Sequence, residues 1–122
     1  MAKHNDTGTW GEQIVTDYLT AKGYAIRERQ WRLNHLEIDI IATKDDEIAF
    51  VEVKTRSNAD TDPLEAINRR KMAHMGAAAT AYMQQFDIPL KPRFDVAAIT
   101  GTPSDYHLRY IADAFFPPLR TY

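Results

Sequence analysis

The stretch Ile48-Ala49-Phe50-Val51-Glu52-Val53-Lys54-Thr55-Arg56 has the β-branched and aromatic content of a strand, yet Glu52 and Lys54 interrupt its apolar run. Side chains alternate along a strand, so Glu52 and Lys54 share one face while Val51 and Val53 share the other. A carboxylate and an ammonium buried beside two valines cost free energy unless they pair or bind a ligand. The pair marks a candidate functional site at the end of a strand, and the rest of the chain has to supply its partners.

On the N-terminal side, Leu36–Ala42 (Leu-Glu-Ile-Asp-Ile-Ile-Ala) reads as a second strand. Its pattern puts Leu36, Ile38, Ile40 and Ala42 on one face and Glu37, Asp39 and Ile41 on the other. The polar run Lys44-Asp45-Asp46-Glu47 joins the two strands as a hairpin, which brings Asp39 within reach of Glu52 if both occupy one face. Tyr24–Trp31 predicts an earlier strand, partly exposed through Arg27 and Arg29 and so near a sheet edge, with Arg32–His35 as the turn. Ahead of it, Asp6 or Thr7 can cap a helix from about Thr9 to Lys22, closed by Gly23. Trp10, Ile14, Val15, Tyr18, Leu19 and Ala21 fill half of that helical wheel. Gly11 falls within this half, which implies close packing on a neighbour. Glu12 lies at its edge, where it either reaches beneath the helix or stays solvated in the first turn, favoured by the dipole.

On the C-terminal side, the polar loop Ser57–Asp62 ends at Pro63, a good first residue for a helix running to about Phe86. Leu64, Ile67, Met75, Ala78, Tyr82 and Phe86 form its apolar stripe. Lys71 falls inside the stripe, so it either snorkels from the margin or meets an anion beneath the helix. Arg69 and Arg70 sit on the outer face beside it. After the Pro89–Pro92 break, Arg93–Thr100 reads as a largely buried strand, Gly101–Asp105 as a turn and His107–Ile111 as a last strand. The order αβββαββ predicts one α/β domain over 1–122, a mixed β-sheet with helices packed on it. The apolar tail Ala112–Tyr122, with Phe115, Phe116, Pro117 and Pro118, is expected to dock on the domain or on a second subunit.

A chain of 122 residues with 44% hydrophobic and 26% charged content suits a single core in an ordinary soluble globule. The absence of cysteine excludes disulfide frameworks and thiolate-held zinc or iron–sulfur sites. The polar start Met1–Thr9 is unlike a signal peptide, and no apolar run reaches membrane-spanning length, so a cytoplasmic protein without a membrane partner is expected. The net charge of −2 gives no bulk case for nucleic-acid binding, but the charges are unevenly placed. Leu36 to Val53 holds six acids against one base, and Lys54 to Arg93 holds seven bases against four acids. An acidic centre between basic segments suits a metal site that also holds a polyanion; the bland reading is ordinary surface scatter.

Two carboxylates at a sheet edge repel and shift each other's pKa unless a cation lies between them. Oxygen ligands without cysteine or a histidine cluster favour a hard ion, Mg²⁺ or Mn²⁺. Such an ion can make a bound water nucleophilic, and Lys54 can orient it or offset charge developing on a phosphorus centre. Asp39, twelve residues, then Glu52-x-Lys54 resembles the PD-(D/E)xK signature of the restriction-endonuclease-like nucleases, and Glu12 resembles the helical acid that many members add. More closely, the chain resembles the YraN-like family of small bacterial proteins, predicted to be endonucleases. The carriers are Gly11-Glu12, Leu19 through Gly23-Tyr24, Glu37-Ile38-Asp39-Ile40-Ile41-Ala42, Phe50 to Arg56, Lys71 and Arg93-Phe94-Asp95-Val96, so the likeness spans about Gly8 to Phe116. It departs at Leu36, where the family usually has Gly, and at Ser57–Asp62, where a Phe-Gly pair is common.

The resemblance implies a restriction-endonuclease-like core in which Asp39, Glu52 and the carbonyl of Val53 bind metal, Lys54 serves the nucleophile and Glu12 assists. By their place and charge, Glu37 and Lys71 are candidates to stand behind this set, and Arg56, Arg69 and Arg70 are candidate DNA contacts. The layout is also similar to archaeal Holliday-junction resolvases, which implies a homodimer acting on branched DNA. Three functions compete: a Mg²⁺-dependent DNA nuclease, a nucleic-acid-binding module of the same fold without turnover, and an adaptor in which Glu52–Lys54 is a structural ion pair.

Overall fold

The computed structural model describes residues 5–56 and 67–117, with side chains from Thr9 onward. In chain order these form α1 (Asn5–Ala21), β1 (Ala25–Leu33), β2 (Leu36–Lys44), β3 (Glu47–Arg56), α2 (Arg69–Phe86), β4 (Lys91–Thr102) and β5 (Asp105–Ile111). The strands make one mixed sheet in the order β1-β2-β3-β4-β5, with β3 and β4 parallel and every other neighbouring pair antiparallel. A parallel pair needs a long crossover, and α2 lies within it. The expected αβββαββ order, the mixed sheet and the edge position of β1 are all present.

Each face of the sheet has its own core. On one, Val15 and Leu19 of α1 pack with Ile40, Ala42, Ala49, Val51, Ala97 and Ile99. On the other, Met75, Ala78, Ala79 and Tyr82 of α2 pack with Ile38, Ile41, Ile48, Phe50 and Phe94. β3 feeds both cores, Ala49 and Val51 one way and Ile48 and Phe50 the other, so the run Ile48–Val51 is apolar at every position, as a strand covered on both faces requires. Gly11 makes the close approach anticipated for it: a Cβ there would collide with Thr55 Oγ1 on β3. Gly23, at φ +93°, turns the chain out of α1 in a conformation that a side chain resists.

Several boundaries differ from expectation. α1 begins at Asn5, so Asp6 and Thr7 lie inside it rather than ahead of it; cap propensity locates a start only to within about a turn. β1 runs on to Leu33, leaving Asn34 (φ +56°) and His35 as the turn, and β2 runs to Lys44 before a two-residue turn with Asp45 at φ +54°. α2 starts at Arg69, because Asn68 holds extended backbone (φ −92°, ψ 177°) and its side chain caps the helix. The expected start at Pro63 and the stripe residue Leu64 lie outside the described residues. β4 takes in Lys91 and Pro92, and β5 begins at Asp105.

The alternation expected along β2 is also broken. Leu36 and Ile38 face α2, whereas Ile40 and Ala42 face α1, so the strand changes sense at Asp39. Its partner β1 is irregular too, with a register shift between Ile26 and Glu28 and a left-handed residue, Gln30, at φ +52°. Away from these irregularities a buried network locks β4 to β5. Asp95, fully buried, accepts hydrogen bonds from Arg93, from the Tyr110 hydroxyl and from the Asp113 amide. Arg93 also donates to Glu47 at 2.9 Å and to the Tyr24 hydroxyl at 2.6 Å. The described part of the tail, to Pro117, docks on this same chain: Ala114 N–H donates to the Phe94 carbonyl, the Phe115 and Phe94 rings lie 5.5 Å apart, and Pro117 abuts Gly76. Phe116 stays 80% exposed.

Candidate functional site

The β2–β3 ladder stops at Ile40↔Val51. Beyond that pair the two strands part, and the backbone groups so released need other partners. The Val53 amide finds one in Asp39, donating to its Oδ2 at 2.8 Å. Asp39 and Glu52 therefore meet through the splayed end of the hairpin, and not as the directly opposed pair that simple alternation suggests. Of Val53, it is the amide that contacts Asp39.

Glu52 points to the α2 side, and its side chain is only 6% exposed. Two lysines from different elements share it: Lys54 Nζ lies 3.4 Å from Oε2, and Lys71 Nζ lies 3.3 Å from Oε1. Lys71 is therefore turned under the helix towards an anion. Its own amide donates to the Asn68 cap at 2.8 Å, so the first turn of α2 is fixed where the ammonium can reach β3. Arg69 and Arg70 in the same turn are exposed, and Arg56 at the end of β3 is half-buried.

Glu12, 6% exposed, approaches from α1. Gln30 donates to its Oε2 at 3.4 Å. Gln30 lies between the Arg29↔Ile40 and Trp31↔Ile38 pairs, across from Asp39, where its left-handed backbone re-aims the side chain. Sequence reasoning missed this residue. A non-glycine residue with positive φ leaves no periodic trace, and Gln30 looked like one more exposed polar residue on an edge strand. Glu37 completes the acidic group; it is exposed and its Oε1 lies 3.4 Å from Arg32 Nε.

Four carboxylates, Glu12, Glu37, Asp39 and Glu52, thus share one end of the sheet. Burial, and then the negative charge of Glu52, push Asp39 up to about 7 against the pull of the Val53 N–H. Burial likewise raises Glu12, partly offset by Gln30 and Arg29. Clustered oxygen donors whose ionised forms are disfavoured by burial and by one another fit a hard divalent cation. Among the described residues no three His, Cys, Asp or Glu side chains already stand as a ligand set. A cation would have to draw Glu52 away from its lysines.

The raised Asp39 has a consequence for stability. The folded chain holds this proton more tightly than the unfolded chain does, so the associated stabilisation is full below about pH 4 and is lost as pH rises through about 7. In chelator, Asp39→Asn is expected to raise the melting temperature by several degrees at pH 8 and to change it little at pH 4. Thermal melts at the two pH values check this; equal shifts at both would contradict it.

Residues 11–99 match the model of "Uncharacterised protein family UPF0102", the YraN-like group. A UPF0102 protein of Bacteroides thetaiotaomicron is 43% identical over 98% of this chain and 99% of its own length. One from Flavobacterium psychrophilum is 37% identical over 95% and 98%. One from Christiangramia forsetii is 32% identical over the same shares. Matches of this extent take in both helices, all five strands and the whole acidic site, and the chain belongs to the UPF0102 family.

Proposed function

We propose that this protein is a Mg²⁺- or Mn²⁺-dependent nuclease with a restriction-endonuclease-like core, hydrolysing phosphodiester bonds of DNA, branched or damaged forms included. The observation that carries the reading is the meeting of Asp39, Glu52 and Lys54 where β2 and β3 part, with Asp39 pushed up by burial and then by the charge of Glu52. A divalent ion held by Asp39, Glu52 and the Val53 carbonyl would supply Lewis acidity and an activated water. Lys54, 3.4 Å from Glu52, brings a cation to the place where charge builds on the phosphate. Glu12, steadied by Gln30, assists from the α1 side.

Arg56, Arg69 and Arg70 are the backbone contacts, positioning rather than reading sequence. With a net charge of −2, one chain holds DNA weakly, and a homodimer pooling these bases would bind more tightly. Among the described residues no helix is long and apolar enough to cross a membrane. The occupation of both Glu52 oxygens by lysines favours a second reading, a binding module without turnover. The test incubates the protein with branched and linear DNA in Mg²⁺, in Mn²⁺ and in chelator. Metal-dependent cleavage supports the nuclease; salt-dependent binding with no cleavage in any metal supports the module.

A further inference from the structure

Lys71 is an odd residue for its place. It is the third residue of α2, following Arg69 and Arg70, and the first turn of that helix holds no acid. The positive end of a helix disfavours cations, so three bases in one first turn are unfavourable unless anions compensate them. The anion that Lys71 meets is Glu52, on β3, whose other oxygen is already beside Lys54. Lys54 is tied to Glu52 by the strand itself, two residues on and on the same face. Lys71 has no such tie: the two side chains are alike in exposure, 36% for Lys54 and 34% for Lys71, but Lys71 reaches Glu52 from a different element, the first turn of α2, on a flexible stem that can swing towards solvent.

From this asymmetry we infer that Lys71 is an exchangeable counter-ion of Glu52. It balances the buried carboxylate while no divalent ion is bound, and yields Glu52 to the ion when one arrives. Its ammonium is then left at the positive end of α2, beside the exposed Arg69 and Arg70, where a phosphate of the nucleic acid replaces Glu52 as its partner. Lys71 is thus a positioning residue in the free protein and a phosphate contact in the complex. The inference rests on the metal-dependent reading proposed above, and adds a built-in competition between lysine and metal for one oxygen.

Two binding measurements on the whole chain test it. Mn²⁺ titration without DNA, followed by calorimetry, is expected to show Lys71→Met binding the ion about five-fold more tightly than wild type, the size of one partly buried ion pair. DNA binding in Ca²⁺ is expected to weaken in the same variant, with the salt slope reduced by about one phosphate contact. Lys71→Arg should restore DNA binding. Lys71→Gln, which keeps a polar tip, should behave like Lys71→Met and guards against a packing artefact. Mn²⁺ affinity that is unchanged or weaker in Lys71→Met, or DNA binding that is unchanged, overturns the exchange while leaving the metal site intact. A wild-type protein that binds no divalent ion overturns both the exchange and the nuclease reading.

Discussion

Cleavage by Asp39→Ala is expected to fall by about 10²–10³-fold or more, while the melting temperature at pH 8 in chelator holds or rises. The first figure is the usual cost of removing one preorganised charge-stabilising group from a reacting centre. The opposite sign of the stability effect follows from the site itself. Asp39 is held among Glu12, Glu37 and Glu52, and its ionised form is disfavoured by burial and by its neighbours. A residue that costs stability at neutral pH is retained for what it does, and active sites are where that trade is expected. Lys54→Ala should lose activity on the same scale, but without the gain in stability, because it removes one of the two cations beside Glu52. Steady-state cleavage assays paired with thermal melts separate these effects. Unchanged activity in both variants would remove Asp39 and Lys54 from the chemistry.

The largest effect on stability is expected away from this site, in Asp95→Ala. Asp95 is fully buried and serves three donors, the Arg93 guanidinium, the Tyr110 hydroxyl and the Asp113 amide. Its charge holds the Arg93 proton more firmly than usual, and burial followed by the same charge pushes Tyr110 well above the ordinary tyrosine range. Removing the carboxylate leaves these donors without an acceptor, and breaking a buried pair from one side costs about 3–5 kcal/mol. Arg93 keeps Glu47 and Tyr24, so the lower part of that range is expected. For a domain of this size that is a fall of roughly 10 °C or more in melting temperature. Calorimetry on the variant checks it, and a change under about 2 °C would mean the network contributes little. Asp95 pairs with Val51, next to Glu52, but its donors are Arg93, Tyr110 and the Asp113 amide, so Mn²⁺ affinity measured well below the new melting temperature should be close to wild type.

Much of this architecture was legible in the sequence. The Ile48–Arg56 run, the hairpin before it and the two helical stripes carry strong periodicity, and they predict a mixed sheet, whereas the strand order across it and the parallel pairing of β3 with β4 are seen only in the structure. Asp39, Glu52 and Lys54 were legible as a set for a related reason: charges interrupting apolar strands are conspicuous. Geometry at the irregular points was hidden. Alternation placed Ile38 and Ile40 on one face, but β2 changes sense at Asp39, and it is this change that turns a strand residue towards the Val53 amide. Gln30 was hidden because its contribution depends on a left-handed backbone and not on its type. Lys71 stood out in the stripe, but only the structure identifies its anion as Glu52. The C-terminal tail was legible as a docked segment, and Phe115 and Pro117 dock on the domain itself.

The most direct test of the central claim is diffraction from crystals grown or soaked in Mn²⁺, read at the manganese absorption edge. The account predicts an anomalous peak between Asp39 and Glu52, with Glu52 turned from Lys71 and Lys71 facing solvent. No peak there at saturating Mn²⁺, with Glu52 still held by both lysines, would contradict it.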